Sequence, residues 1–161
     1  MVAISTPAAK ANKPSVTPDN TSITPDALIS HLQADYPDFR FLEGSKFAFR
    51  PPRTIIIGPP QPFFALLTLH ELAHALCKHK SYDTHVSRIR IESEAWERAK
   101  ALSADYGISW NEDFVQDQLD TYRDWLHTKS LCPTCHLTRF QTPDGDYHCP
   151  HCDMLQYVHG F

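Results

Sequence analysis

The sequence predicts an α+β fold in which a small sheet packs on one apolar helix, followed by a small metal-binding module. A β-branched run between proline and glycine breaks, Thr54–Ile57, predicts a buried strand. Apolar residues dominate a helix-like segment from about 62 to 78, and four cysteines form two Cys-x-x-Cys pairs after residue 131. A length of 161 residues, with 42% apolar and 21% charged residues, fits one domain with a small appendage.

Composition divides the chain into three parts. Residues 1–23 are dominated by Ala, Ser, Thr, Pro, Asn and Lys, which offer little to bury, so we predict a disordered tail. Residues 24–130 are predicted to form the main domain, and residues 131–161 the metal-binding module. The first helix is predicted to begin at Thr24, a capping residue that precedes a proline and an acid.

The rest of the main domain is predicted to contain three short strands followed by three helices. Gly107 is the stop signal of the second of these helices, and Asn111 has the side chain of an N-cap for the third. The predicted strands lie at about 39–42, 46–49 and 53–57, and the predicted helices at about 62–78, 86–106 and from Asn111 onward.

Charge and cysteine usage exclude several classes of function and favour one compartment. The net charge is −4, so no bulk positive field attracts nucleic acid or an anionic membrane. The longest strongly apolar stretches, Thr54–Ile57 and Phe63–Leu69, are too short to span a bilayer. Two closely spaced cysteine pairs indicate metal binding rather than disulfides, which predicts a reducing, cytoplasmic environment.

A candidate catalytic metal site lies in the segment His70-Glu71-Leu72-Ala73-His74. Residues four apart share a helix face, so the two imidazoles point the same way and suit one tetrahedral zinc. Glu71 lies beside the first ligand, where a carboxylate can act as general base toward an attacking water. Two unpaired histidines would be costly to bury in an apolar helix, which favours metal binding over a structural role.

A catalytic zinc also needs a third protein ligand and an open coordination position. Glu92 and Glu94 are the candidates on the next helix. Because they are about 200° apart around its axis, only one of them can face the metal. Periodicity leaves both open, although Glu92 lies nearer the centre of the apolar stripe. The alternative for either acid is a solvated face or an ion pair with Arg88 or Arg98.

This motif resembles that of a known family. His-Glu-Leu-Ala-His, followed about twenty residues later by the pattern Glu-Ala-x-x-x-Ala-x-x-Leu at 94–102, resembles the ImmA/IrrE family of gluzincin-type metallopeptidases. The resemblance covers roughly residues 53–106. It implies a zincin-like core, peptide-bond hydrolysis with Glu71 as the base, and a zinc held by His70, His74 and Glu94.

A second resemblance is to SprT-like proteases, DNA-associated enzymes that also join this helix motif to a C-terminal zinc ribbon. That resemblance implies a histidine as the third ligand, and His85 is the only nearby candidate. The glycine and aromatic residues that usually follow the histidine are absent from this chain. Glu94 is therefore the preferred assignment.

The second candidate metal site consists of Cys132, Cys135, Cys149 and Cys152. Thirteen residues separate the two pairs, a spacing typical of a zinc ribbon, in which four thiolates close the shell of a structural ion. A Pro-Asp-Gly-Asp turn in the spacer predicts a hairpin. Arg139 is the module's only Arg or Lys, so we predict a protein partner or a stabilising role rather than nucleic-acid binding.

Together these sites predict a zinc-dependent metallopeptidase with one catalytic and one structural zinc, acting on a protein or peptide substrate. The strand at 53–57 is predicted to be an exposed edge that pairs with an extended substrate. The main rival is a non-catalytic zinc-binding interaction module, but such a module has no need of Glu71 as a base. The sequence does not choose among five candidates for stabilising an oxyanion, which are Tyr82, His85, Tyr106, Tyr122 and His127.

Overall fold

A computed structural model describes residues 23–152 and shows a mixed α+β architecture, as predicted. The predicted tail falls almost wholly outside the described residues, as do residues 153–161 of the predicted C-terminal module. The boundaries predicted after residues 23 and 130 stay predictions. The elements are α1 (Pro25–Asp35), β1 (Arg40–Glu43), β2 (Ala48–Arg50), β3 (Thr54–Ile57), α2 (Phe64–Leu76), α3 (His85–Asp105), α4 (Glu112–Ser130), β4 (Phe140–Gln141) and β5 (Tyr147–His148).

Side-chain caps mark where three of the helices begin. The Thr24 hydroxyl accepts a hydrogen bond of 3.3 Å from the amide of Ala27. The Asn111 side chain accepts one of 2.8 Å from the third amide of α4. Thr84 forms a reciprocal capping box at the start of α3. Each cap satisfies a backbone N–H that has no partner within its helix. The predicted starts of α1 and α4 are confirmed.

The three-stranded sheet has β3 at its centre, in the order β1-β3-β2. β3 pairs in parallel with β1 and antiparallel with β2. Its isoleucines, Ile55, Ile56 and Ile57, are at most 7% exposed, because the strand is paired on both sides and packs against α2. The prediction that this strand is an exposed edge is therefore wrong. The strand that lies at the edge beside the motif helix is β2.

The motif helix, α2, packs between the sheet and α3. Leu66, Leu69 and Leu72 are fully buried on it, as expected of a helix that is apolar on nearly all sides. This burial on two faces fixes the direction in which the remaining polar side chains of α2 can point. None of the helices within residues 23–152 combines the length and the hydrophobicity that crossing a bilayer requires.

The antiparallel pair β4–β5 packs against the start of α3. Gln141 Oε1 accepts a hydrogen bond of 2.7 Å from the His85 amide, and the Tyr147 hydroxyl lies 2.8 Å from His85 Nδ1. The hairpin predicted in the cysteine module is thus confirmed. It contacts α3, the helix that follows the metal-binding motif, at its first residue, His85.

Candidate metal centres

α2 brings the imidazoles of His70 and His74 together in a buried position. The residues are 5% and 9% exposed, and their Nε2 atoms lie 3.1 Å apart. This is the geometry that a four-residue spacing on one helix face predicts. Burial lowers the pKa of His70 to about 4, so its ring is neutral at physiological pH. A neutral imidazole has a free lone pair, which is the form that binds a metal ion.

The third member of this group is Glu92, which α3 presents to both imidazoles. Its Oε2 atom lies 3.2 Å from His70 Nε2 and 3.4 Å from His74 Nε2. Ligand atoms about 2.0–2.2 Å from a tetrahedral zinc lie about 3.3 Å from one another. The three atoms therefore form one face of a tetrahedron of the size that zinc needs. This group could hold a metal ion.

The ionisation of Glu92 also suits a metal ligand. Burial alone would raise the pKa of this carboxyl group, but hydrogen bonds with His70 and His74 outweigh it and hold the pKa well below its usual range. Glu92 is thus a carboxylate facing both imidazoles. A single proton can occupy only one edge of such a triangle, whereas a cation at its centre is bound by all three atoms.

The structure does not bring Glu94 into this group. Its side chain is 51% exposed, and its Oε2 atom lies 3.3 Å from His79 Nε2. The physical reason is the helical geometry: two residues apart on α3, Glu92 and Glu94 point to opposite sides. Glu92 therefore replaces Glu94 as the candidate third ligand.

His79 lies between Glu94 and His74 and contacts both side chains. The sequence analysis did not identify His79 as part of this site. Its Nδ1 atom lies 2.9 Å from Nδ1 of His74, the ring nitrogen on the side opposite to the candidate metal. Metal-binding histidines usually form such a hydrogen bond through their second nitrogen, which fixes the ring orientation. Glu94 and His79 are thus positioning residues for His74.

The end of α2 explains how His79 reaches this position. Lys78 adopts a left-handed conformation with φ 58°, and the His79 amide then bonds back to the His74 carbonyl at 3.0 Å. This is a Schellman motif, which usually carries glycine at the left-handed residue. With lysine there, the sequence contains no signal that the chain turns back at this point.

Trp96 packs on the other candidate ligand of α2. Its ring stacks on His70 with centroids 4.1 Å apart and planes inclined by 23°. His70 Nδ1 is buried and has no hydrogen-bond partner within residues 23–152. The two imidazoles are therefore oriented by different means: His74 by a hydrogen bond and His70 by aromatic packing.

Glu71 lines an open cavity of about 420 Å³ together with His70, His74 and Glu92. Burial raises its pKa to about 7, although the charge of His74 acts in the opposite direction. A carboxyl group with a pKa near the working pH is suited to accept and return a proton. A bound cation would lower this pKa and favour the carboxylate.

Among the five candidates for an oxyanion donor, Tyr82 and Tyr122 line this cavity. Burial raises the pKa of Tyr122 to about 12, so its hydroxyl keeps its proton. Tyr106 is elsewhere, donating to Asp35 at 2.6 Å. His85 bonds to the C-terminal hairpin and is absent from the metal-binding group, so the structure does not support it as a third ligand.

The four paired cysteines form the second candidate metal centre. Their sulfur atoms all lie within 4.8 Å of one another. Two pairs, Cys132 with Cys152 and Cys135 with Cys149, have sulfur–sulfur distances of 3.8 and 3.4 Å. Sulfur ligands about 2.3 Å from a tetrahedral zinc are about 3.8 Å apart. This group could also hold a metal ion.

Two thiols of this group differ in how readily they ionise. Backbone hydrogen bonds from Cys135 and Thr134 lower the pKa of Cys132 to about 6. The neighbouring Cys135 side chain, followed by burial, raises the pKa of Cys152 to about 12. The Cys132 thiolate therefore forms readily, and its negative charge disfavours ionisation of Cys152. A metal ion reverses this order because it stabilises all four thiolates at once.

We expect two zinc ions per chain, in separable sites. Replacing Cys132 and Cys135 by serine removes two of four thiolates and should release one zinc, leaving the ion on the histidine group in place. The measurement is elemental analysis of the purified variant. Retention of two ions, or loss of both, would contradict two independent centres.

A scan against protein-family models and searches of characterised proteins and of solved structures each gave no match. The geometry of these two groups is therefore the basis on which a function can be inferred.

Proposed function

We propose that this protein is a zinc-dependent metallopeptidase whose catalytic ion is held by His70, His74 and Glu92. The observation that carries the proposal is the triangle of ligand atoms, 3.1–3.4 Å on each edge, with one side open to the cavity that Glu71 lines. Three protein ligands and an open position are typical of catalytic zinc, whereas structural zinc is closed by four ligands. The four-cysteine group is the structural site in this proposal.

Glu71 is the general base in the proposed reaction. Zinc in this site supplies Lewis-acid polarisation of the scissile carbonyl and of the attacking water. The Glu71 carboxylate takes the proton of that water and gives it to the leaving amine, so the peptide C–N bond breaks with no net proton consumed. The Tyr122 hydroxyl, which lines the cavity and keeps its proton, is the proposed donor for the developing oxyanion.

An extended substrate would pair with β2 in this proposal. Ala48 and Phe49 of this strand line the same cavity as Glu71, and β2 is hydrogen-bonded to β3 on only one side. An edge strand can accept a peptide as an additional strand, which holds the main chain extended across the metal. This assigns to β2 the role that the sequence suggested for β3.

The direct test is metal-dependent peptide cleavage. The purified full chain would be stripped of metal by a chelator, reloaded with two equivalents of zinc, and incubated with a degenerate peptide library. We expect mass spectrometry to show new peptide termini only after reloading. A fully zinc-loaded protein that cuts nothing in the library would favour the non-catalytic interaction module instead.

A further inference from the structure

Arg88 lies in the same cavity as the histidine group but takes no part in it. Its guanidinium carbon is 5.4 Å from the ring centroid of Tyr82, 5.1 Å from that of Tyr122 and 4.9 Å from that of Trp125. Such cation–π contacts hold the cation through the aromatic faces. Three rings around one guanidinium fix its position without neutralising its charge.

No carboxylate among residues 23–152 pairs with Arg88. Glu92 lies one turn further along α3, at a spacing that allows an Arg–Glu ion pair. Glu92 is instead directed to His70 and His74. The N–H groups of Arg88, which match a carboxylate in a two-pronged arrangement, therefore have no hydrogen-bond acceptor within the described part of the chain.

The charge balance of the cavity favours an anion. Its basic side chains are Lys46, Lys80 and Arg88, and its acidic ones are Glu71 and Glu92. The lysines likewise form no ion pair with any residue from 23 to 152. A divalent cation in the histidine group would be balanced by the two glutamates, which leaves the three basic groups uncompensated. A cavity with such an excess attracts groups of opposite charge.

We propose that Arg88 binds a carboxylate of the substrate and so selects peptides with a negative charge close to the scissile bond. This inference rests on the proposed peptidase function. The carboxylate comes either from an acidic side chain or from a free C-terminus, since both present the same two oxygen atoms. Arg88 is thus a specificity-determining residue, distinct from the metal ligands and from Glu71.

The first test measures binding and needs no turnover. Zinc-loaded protein would be titrated calorimetrically with succinic monohydroxamate and with its neutral carboxamide analogue. Both chelate zinc through the hydroxamate, and only the first adds a carboxylate. We expect the acid to bind wild type about tenfold more tightly or better, the range for hydrogen bonds to charged groups. The glutaric pair, one methylene longer, covers a different distance from the metal to Arg88.

Arg88→Gln should abolish the preference for the acid, and Arg88→Lys should retain part of it, because lysine keeps the charge but loses the planar donors. The matched control is Arg90→Gln, an exposed arginine on the same helix that does not line the cavity; its preference should equal that of wild type. Zinc content and circular dichroism establish that each variant is folded and loaded. An unchanged preference in Arg88→Gln would overturn the proposal.

The second test distinguishes the two sources of the carboxylate. Three peptides of one length would be compared: one with an internal glutamate and an amidated C-terminus, one neutral with a free C-terminus, and one neutral and amidated. The peptide cleaved at least about tenfold faster by wild type than by Arg88→Gln identifies the source. Equal cleavage of all three by both proteins would overturn the proposal.

The two tests also separate this inference from the proposed function. An acid preference that depends on Arg88, with no cleavage of any peptide, would overturn hydrolysis and establish Arg88 as an anion-binding residue. Failure of both hydroxamate pairs to bind the zinc-loaded protein would overturn the open metal site, and with it both proposals.

Discussion

Glu71→Gln is expected to lower the rate of peptide hydrolysis by at least about 10²–10⁴-fold, the range for losing a positioned general base. Both zinc ions should remain bound, because Glu71 lies in the cavity but is not a member of the metal-binding group. Glutamine keeps the size and polarity of the side chain and removes only the ability to accept a proton. The measurements are kcat with a cleaved library peptide and zinc content of the same preparation.

The control for this variant is Glu97→Gln, an exposed glutamate on α3 outside the cavity. Its rate should match that of wild type. A fall in zinc content in Glu71→Gln would contradict the role of Glu71 as a base, since a base leaves the ligand shell intact. Full activity of Glu71→Gln would transfer the proton-accepting role to another group.

Glu92→Ala and Glu94→Ala are expected to differ strongly in zinc affinity. Glu92→Ala removes one of the three proposed ligands and should lower the affinity of the histidine site by more than about 100-fold, beyond the range for groups that only orient a ligand. Glu94→Ala acts only through His79 and should lower it by about 10–100-fold, the range for groups that orient a ligand. Competition with a chromophoric chelator measures both, with Glu97→Ala as the matched control.

The orienting role of Glu94 has its own test in a double variant. If Glu94 acts through His79, the combined Glu94→Ala and His79→Ala change should cost little more than His79→Ala alone, because both residues belong to one hydrogen-bonded chain. Fully additive losses would show that the two residues act separately. Loss of zinc from the histidine site in Glu94→Ala, with retention in Glu92→Ala, would reverse the ligand assignment.

The helices, the strands and the pairing of residues within each metal-binding motif could be predicted because they depend on spacing along a short stretch of sequence. The position of His70 relative to His74 follows from one helical turn, and the cysteine hairpin follows from paired motifs around a turn sequence. The starts of α1 and α4 follow from capping side chains at Thr24 and Asn111, whose partners are only three residues away.

The third member of the histidine group and the position of β3 in the sheet were predicted wrongly, because both depend on how elements that are distant in sequence pack together. Glu92 and Glu94 have similar local surroundings, and only the rotation of α3 against α2 decides which of them faces the imidazoles. In the same way, a β-branched run predicts a strand but not its neighbours, so Thr54–Ile57 gave no sign of being central. The role of His79 depends on the left-handed conformation of Lys78. Glycine commonly marks such a position in a sequence, whereas lysine does not.

The hydrogen bond that the His85 amide donates to the Gln141 side chain has a consequence for amide hydrogen exchange. The first N–H groups of a helix have no acceptor within it and exchange rapidly when they face water. At the start of α3, the Ser87 amide bonds to Thr84, and the His85 amide bonds to a side chain 56 residues away. Protection of the His85 amide therefore reports whether the cysteine module is folded, and a chelator that unfolds this module should make that amide exchange faster.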